Sequence, residues 1–154
     1  MNYVVNKLIE LNRSISTMES CTGGCIANAI TNVPGSSDVF YFGAVTYSNT
    51  YKVKLGVDKN LIDKYSVYSM EVANSMSKTI SNYTNSDYGI GVTGKLNRED
   101  KNNEFGNDNV VYVSIYDKLN NKFYNSIVTV LYSDRCKNKE MVLNEVIRLL
   151  EEIL

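Results

Sequence analysis

"SISTMESCTGGCIANAI", Ser14 to Ile30, carries two kinds of order in seventeen residues. Ser14 to Met18 reads as a short strand. Cys25 to Ile30 is a small-residue apolar stretch that reads as the start of a helix. Between them lies Glu19-Ser20-Cys21-Thr22-Gly23-Gly24, a tight turn whose glycines permit left-handed backbone. Strand, glycine turn and helix in that order are the opening of an α/β unit. The turn itself has two readings. Free N–H groups at a helix N-terminus can cradle a phosphate or carboxylate, or Thr22 caps an ordinary connection.

The pattern continues on both sides. Val4, Leu8 and Leu11 recur at helical spacing before the first strand. Val39 to Tyr47, "VFYFGAVTY", is β-branched and aromatic, with Gly43 breaking it into two segments or a bulged strand. Leu61 to Tyr65 is a helical turn. Ser69 to Tyr83 places Val72, Met76 and Ile80 four apart, with Ala73 alongside, which predicts a helix. Tyr88 to Thr93 is a buried strand ending at Gly94. Lys95 to Asp108, "KLNREDKNNEFGND", is polar and aperiodic, a long loop. Val110 to Tyr116 and Phe123 to Leu131 form a hairpin about Leu119-Asn120-Asn121. Glu140 to Leu154 closes the chain as an amphipathic helix. The expected fold is one α/β domain over residues 1–154, a three-layer α/β/α sandwich on a mixed, mostly parallel sheet with a late antiparallel hairpin.

Composition narrows the chemistry. Net charge is −1 and no basic block stands out, so the 12 tyrosines have no basic groove in which to stack bases. Nucleic acid is therefore not an expected partner. No apolar run approaches the roughly 18 residues of a membrane helix, and Lys7 and Glu10 within the first helical pattern argue against a signal peptide. Three cysteines, Cys21, Cys25 and Cys136, suit reduced thiols in a cytoplasmic protein. The chain has no histidine. Imidazole triads and imidazole–zinc sites are thereby excluded within it, and any nucleophile must take its base from Lys, Tyr, Asp or Glu.

Four groups of residues remain as candidates. The Ser20–Gly24 turn is the first. The second is Pro34-Gly35-Ser36-Ser37 with Thr46-Tyr47-Ser48-Asn49 and Lys52. A strand that turns back would bring Ser37, Tyr47 and Lys52 together as a serine nucleophile with a lysine or tyrosine base; otherwise they are a surface turn, a core tyrosine and a solvated lysine. In the third, Cys21 and Cys25 lie four apart at a helix start, where a thiol pKa would be depressed or the pair simply packs. The fourth is Asp134-Arg135 with Lys139, either a phosphate contact or a charged helix cap.

Taken together these segments resemble the CinA C-terminal domain, the PncC-type nicotinamide-nucleotide amidase family. "MESCTGG" (18–24) is similar to its "ESCTGG" signature. "VPGSSDVFYFGAVTYSNTYKVKLGV" (33–57) is similar to its second block in order and spacing. "YSVYSMEVANSM" (65–76) looks like its "GAVS" turn and helix, and "SDRCKNKE" (133–140) like its "GDR" segment. The resemblance is specific over the first 57 residues and looser beyond. It implies hydrolysis of nicotinamide mononucleotide (NMN) to nicotinate mononucleotide and ammonia, without cofactor or metal, in a cytoplasmic homo-oligomer. A non-catalytic nucleotide-binding or interaction module is the other function the family suggests. The catalytic residues carried over by position are Ser37 as nucleophile, Lys52 as base and Tyr47 as orienting or relaying group. The pyridine nucleotide would be held by Ser20, Cys21, Thr22, Gly23, Gly24, Thr46, Gly91, Thr93, Gly94 and Arg135. The chain departs from the family after its third strand. Gly91-Val92-Thr93-Gly94 stands for "GIAGP", the "KPVG" is absent, and Lys139 replaces a second arginine. The N-terminal domain of the larger members is also absent, so a stand-alone version is expected.

Overall fold

The computed structural model describes residues 1–154. Strand β1 (Ile15–Glu19) is buried at every position, as a central strand covered on both faces must be. It lies between two parallel neighbours, β2 (Phe40–Val45) and β3 (Tyr88–Gly94). β4 (Val110–Asp117) runs antiparallel to β3, and β5 (Lys122–Thr129) antiparallel to β4. The sheet order is β2-β1-β3-β4-β5. Four strands thus point one way and β4 alone opposes them, which is the mixed, mostly parallel sheet with a late hairpin.

Two-residue alternation divides the core. Ile15, Ile90 and Val92 face one layer, made of α1 (Asn2–Glu10), α2 (Cys25–Thr31) and α6 (Arg135–Ile153), and join Leu8, Ile26 and Val146 there. Met18 faces the other way and packs with Val72, Met76 and Ile80 of α5 (Met70–Thr84). α3 (Asn49–Leu55) and α4 (Lys59–Tyr65) complete that second layer. The α5 contact is unusually close because Gly89 and Gly91 of β3 offer it no side chains. A Cβ at Gly89 would lie 2.0 Å from the Ser77 carbonyl oxygen, and one at Gly91 would lie 2.3 Å from that of Ala73. Ser77 answers with a hydrogen bond to Ser114 of β4 (2.9 Å). No helix is long and apolar enough to cross a membrane.

Two local expectations are revised, and a third is resolved in favour of one of its alternatives. Gly43 does not split its segment: β2 is one continuous strand, bulged where its pairing with β1 slips by a residue between Phe40 and Gly43. Lys52 lies on a helix, not a loop, because Ser48 caps α3 by accepting from the Tyr51 N–H. α6 begins at Arg135 rather than Glu140, since Asp134 accepts from the N–H groups of Cys136 (2.7 Å) and Lys137. The 95–108 segment has neither helix nor strand, as its composition suggests.

Because β1, β2 and β3 are parallel, their C-terminal ends bring Ser20, Thr46 and Gly94 to one rim of the sheet, the usual ligand side of such folds. The Gly91 contact gives a stability test. Gly91→Ala is expected to lower unfolding free energy by about 3 kcal/mol, the scale of core overpacking, as read by urea denaturation.

Candidate active site

The site starts with a carboxylate. Glu19, the last residue of β1, is fully buried, and its oxygens accept from the main-chain N–H groups of Gly24 (3.1 Å), Ile26 (3.2 Å) and Ala27 (2.8 Å). An anion at a helix N-terminus satisfies donors that the helix leaves open. The strand end itself therefore caps α2, and the intervening turn folds back over it. Gly23 and Gly24, at φ 62° and 93°, supply the left-handed backbone this requires. Thr22 is not the cap: its hydroxyl is buried without a partner. The result is a fixed turn presenting Ser20 at the rim.

Lys52 meets it from α3. The side chain is 2% exposed, and Nζ donates to the Thr46 carbonyl (2.7 Å) and to Ser20 Oγ (3.0 Å). Burial lowers its pKa to about 8, against smaller opposing effects of Cys21 and Asp100. A sizeable fraction is thus neutral near physiological pH, with a lone pair directed at a serine hydroxyl. An amine in that state is a general base for an alcohol nucleophile.

Beside the pair opens a cleft of about 910 Å³, lined by Ser20 and Cys21 at its base, Tyr47 and Arg135 on one side, and Tyr68 and the 95–103 segment on the other. That segment is tied down rather than free. Asn103 accepts from Asn49 of α3 (2.9 Å), Asn97 donates to the Tyr132 carbonyl (3.0 Å), and the Tyr68 hydroxyl donates to Asp100. Lys95 is buried and paired with Asp108 at 3.0 Å, which leaves Arg98, Lys101 and Arg135 as the cleft's cations. No group of three or more His, Cys, Asp or Glu side chains is arranged to hold a metal ion.

The serine expected to partner Lys52 is a different one. Ser37 is exposed in a short 3-10 turn, Ser36–Asp38, that precedes β2. Lys52 follows β2. Because β2 continues through Gly43 instead of turning back, Ser37 and Lys52 lie at opposite ends of a six-residue strand, about 20 Å long. Ser20, expected to bind substrate, is the serine whose hydroxyl meets Lys52.

The other candidate residues divide by what they touch. Tyr47 is exposed at the rim, and its hydroxyl accepts from Arg135 (3.4 Å) rather than touching Lys52 or Ser20. Thr46 is buried and contributes its carbonyl to Lys52. Gly91 faces α5, and the Thr93 hydroxyl donates to the Val67 carbonyl (2.9 Å), so both serve the fold. Gly94 and Arg135 line the cleft. The cysteines do not behave as activated thiols: burial pushes Cys21 up to about 12 and also raises Cys25. Cys136 is exposed on α6. Sequence reasoning passed over Glu19, Tyr68 and Asp100. Glu19 carried a signal, an acid directly before the glycine turn; the other two depend on a contact 32 residues apart.

Fold and site together define a three-layer α/β protein with a serine–lysine pair at the mouth of a polar cleft. The chain belongs to the CinA C-terminal domain family, whose profile matches residues 1–154. It is similar to a competence-damage inducible protein of Clostridium botulinum (strain ATCC 19397, Type A), 45% identical over 92 residues, which span 59% of this chain and 22% of that protein. A Clostridium beijerinckii protein of the same description is 48% identical over 92 residues, again 22% of its length. The chain thus matches about a fifth of these relatives. Among solved structures, a CinA superfamily protein from Escherichia coli superposes with a TM-score of 0.89 at 22% identity, over 99% of this chain and 87% of that one. A competence/damage inducible protein from Agrobacterium tumefaciens gives 0.82 at 25% identity, over 98% and 89%.

Burying Lys52 has a cost with a definite sign. An unfolded lysine titrates near 10.4, above the folded value of about 8. Below pH 8 both states hold the proton and the folded state bears the full penalty. Between 8 and 10.4 the unfolded chain holds a proton the folded chain has released, so stability rises with pH. Lys52→Met removes the penalty and is expected to stabilise the fold by about 2–3 kcal/mol at pH 7, with little gain above pH 10, measured by urea unfolding at both pH values.

Proposed function

We propose that this chain is a serine amidohydrolase of the nicotinamide-nucleotide amidase type, with Ser20 as nucleophile and Lys52 as general base. The observation that carries this reading is the 3.0 Å contact between a buried lysine and a serine hydroxyl that opens onto the cleft. Structural lysines rarely give up solvent to meet an uncharged hydroxyl and a carbonyl; a lysine that does so has exchanged stability for a usable lone pair.

The substrate is NMN or a close relative, on the family resemblance and on the cleft's cations. Arg135, Arg98 and Lys101 suit a phosphate. The Ser20 oxygen attacks the carboxamide carbon while its proton passes to Lys52. The tetrahedral oxyanion takes hydrogen bonds from the main-chain N–H groups of Cys21 and Thr22, which bond no main-chain carbonyl within the turn. Lys52 returns the proton to the departing nitrogen, and ammonia leaves a nicotinoyl ester on Ser20. Water then gives a proton to Lys52 and its oxygen to the ester carbon. The carboxylate product departs as Ser20 regains its hydrogen. Tyr47, hydrogen-bonded to Arg135 at the rim, helps place the ligand and does not relay protons to the pair.

Ammonia release from NMN tests this directly. Ser20→Ala is expected to cost about 10⁴-fold in kcat, the scale of losing a covalent nucleophile, whereas Ser37→Ala stays within about twofold, as an exposed surface change. Loss of activity in Ser37→Ala with survival in Ser20→Ala would overturn the assignment. NMN binding without ammonia release would leave a ligand-capture module instead.

A further inference from the structure

The 95–108 segment is where the chain leaves the family pattern, and it contributes one carefully held carboxylate to the cleft. Asp100 Oδ2 accepts from the Tyr68 hydroxyl and from Asn103 Nδ2 (2.9 Å), and Oδ1 accepts from the Asn102 N–H (2.9 Å). Burial works against its ionised form, but these donors outweigh burial and hold the carboxyl below the usual carboxylate range. The cations around it are committed elsewhere or lie too far to pair. Lys95 gives its ammonium to Asp108 and the Gly106 carbonyl, Lys52 to Thr46 and Ser20, and no lysine or arginine forms an ion pair with Asp100. An ionised carboxylate is therefore fixed in the wall of the cleft with no cation of its own.

Its support is built from two separate parts of the chain. Read to the capping Ser69, the segment before α5 is Ser66-Val67-Tyr68-Ser69, so Tyr68 stands where the resembled "GAVS" has valine. Valine has no hydroxyl to hold Asp100. The Lys95 ammonium sits 5.1 Å from the Tyr68 ring centroid and fixes that ring as well.

We infer that Asp100, positioned by Tyr68, is the specificity-determining anion of the cleft and selects amides attached to a cationic ring over amides attached to a neutral one. The inference rests on the amidohydrolase reading and adds the residue that senses the ring's charge. An N-alkylated pyridine spreads a positive charge over a flat ring. A fixed carboxylate beside a fixed phenol matches both the charge and the shape. The selection also bears on the base. Asp100 acts through space to keep the proton on Lys52. A cationic ring seated against Asp100 cancels that influence, so the ligand itself favours the neutral amine.

Two probes share one amide and differ in ring charge: 1-methylnicotinamide, a cation, and nicotinamide, which is neutral. By calorimetry at low salt the wild-type chain is expected to bind the cation about fivefold tighter, the scale of a partly exposed charge pair. The ratio should fall towards one as salt is raised. Asp100→Asn should bring the ratio of the two affinities to one, and Tyr68→Phe, which frees the carboxylate but keeps the ring, should lower it in part. Equal affinities in the wild type at low salt, a ratio indifferent to salt, or a preference that survives Asp100→Asn would each overturn the inference. The salt series uses the wild type alone, so a poorly folded variant does not shield it. Ammonia release is scored separately. A chain that hydrolyses NMN yet binds both probes alike keeps the chemistry and loses the selection; one that prefers the cation without releasing ammonia does the reverse.

Discussion

Lys52 is a lysine buried to 2% exposure, held by the Thr46 carbonyl and the Ser20 hydroxyl. Neither partner carries a compensating negative charge, so desolvation prevails and the proton is loosened. In a chain without histidine, such burial supplies an amine that titrates near neutral pH. The surrounding architecture fixes its position. Thr46 directly follows β2, Ser20 directly follows β1, and Lys52 lies on α3. Parallel pairing of β1 with β2 brings all three to one rim. Glu19 holds the Ser20 turn by capping α2, and the glycines of β3 let α5 press in behind the sheet.

Much of this was legible in the residues. Strand, glycine turn and helix over 14–30 gave the first unit, and the four-residue spacing of Val72, Met76 and Ile80 gave α5 close to its true limits. Lys52 was singled out as a residue but assigned to a loop, whereas it lies buried on α3. A hidden lysine and a solvated one look alike in one dimension, and only the Ser48 cap reveals that Lys52 sits on a helix facing inward. The error over Ser37 has a similar source. Joining Ser37 to Lys52 needed a strand that turns back, but β2 is continuous. A Cβ at Gly43 would meet Thr17 Oγ1 at 2.6 Å and the Phe40 ring at 2.8 Å, so that glycine marks close packing, and a continuous strand carries Ser37 away from Lys52. Of the two readings of Cys21, packing holds: it is buried, and burial raises the thiol pKa despite the nearby helix N-terminus.

The long polar loop was recognisable by what it lacks, yet its order was not. Lys95, Asn97, Asp100 and Asn103 each bind a partner outside their own turn or across the loop. Such contacts join positions up to 54 residues apart, and no periodicity records them. The same segment lines the cleft. A rigid sheet rim with a loop shaping the pocket beside it is a common division of labour in α/β proteins.

The state of Lys52 can be observed without any substrate. With lysine side chains labelled with ¹⁵N, and the Lys52 signal assigned by its absence in a Lys52-substituted chain, the Nζ resonance can be followed from pH 6 to 11 by NMR. The structure calls for a midpoint near 8, well separated from the other lysines. A Lys52 signal titrating with the rest, near 10.4, would mean that the amine remains protonated and solvated under working conditions, and the serine would then have no base.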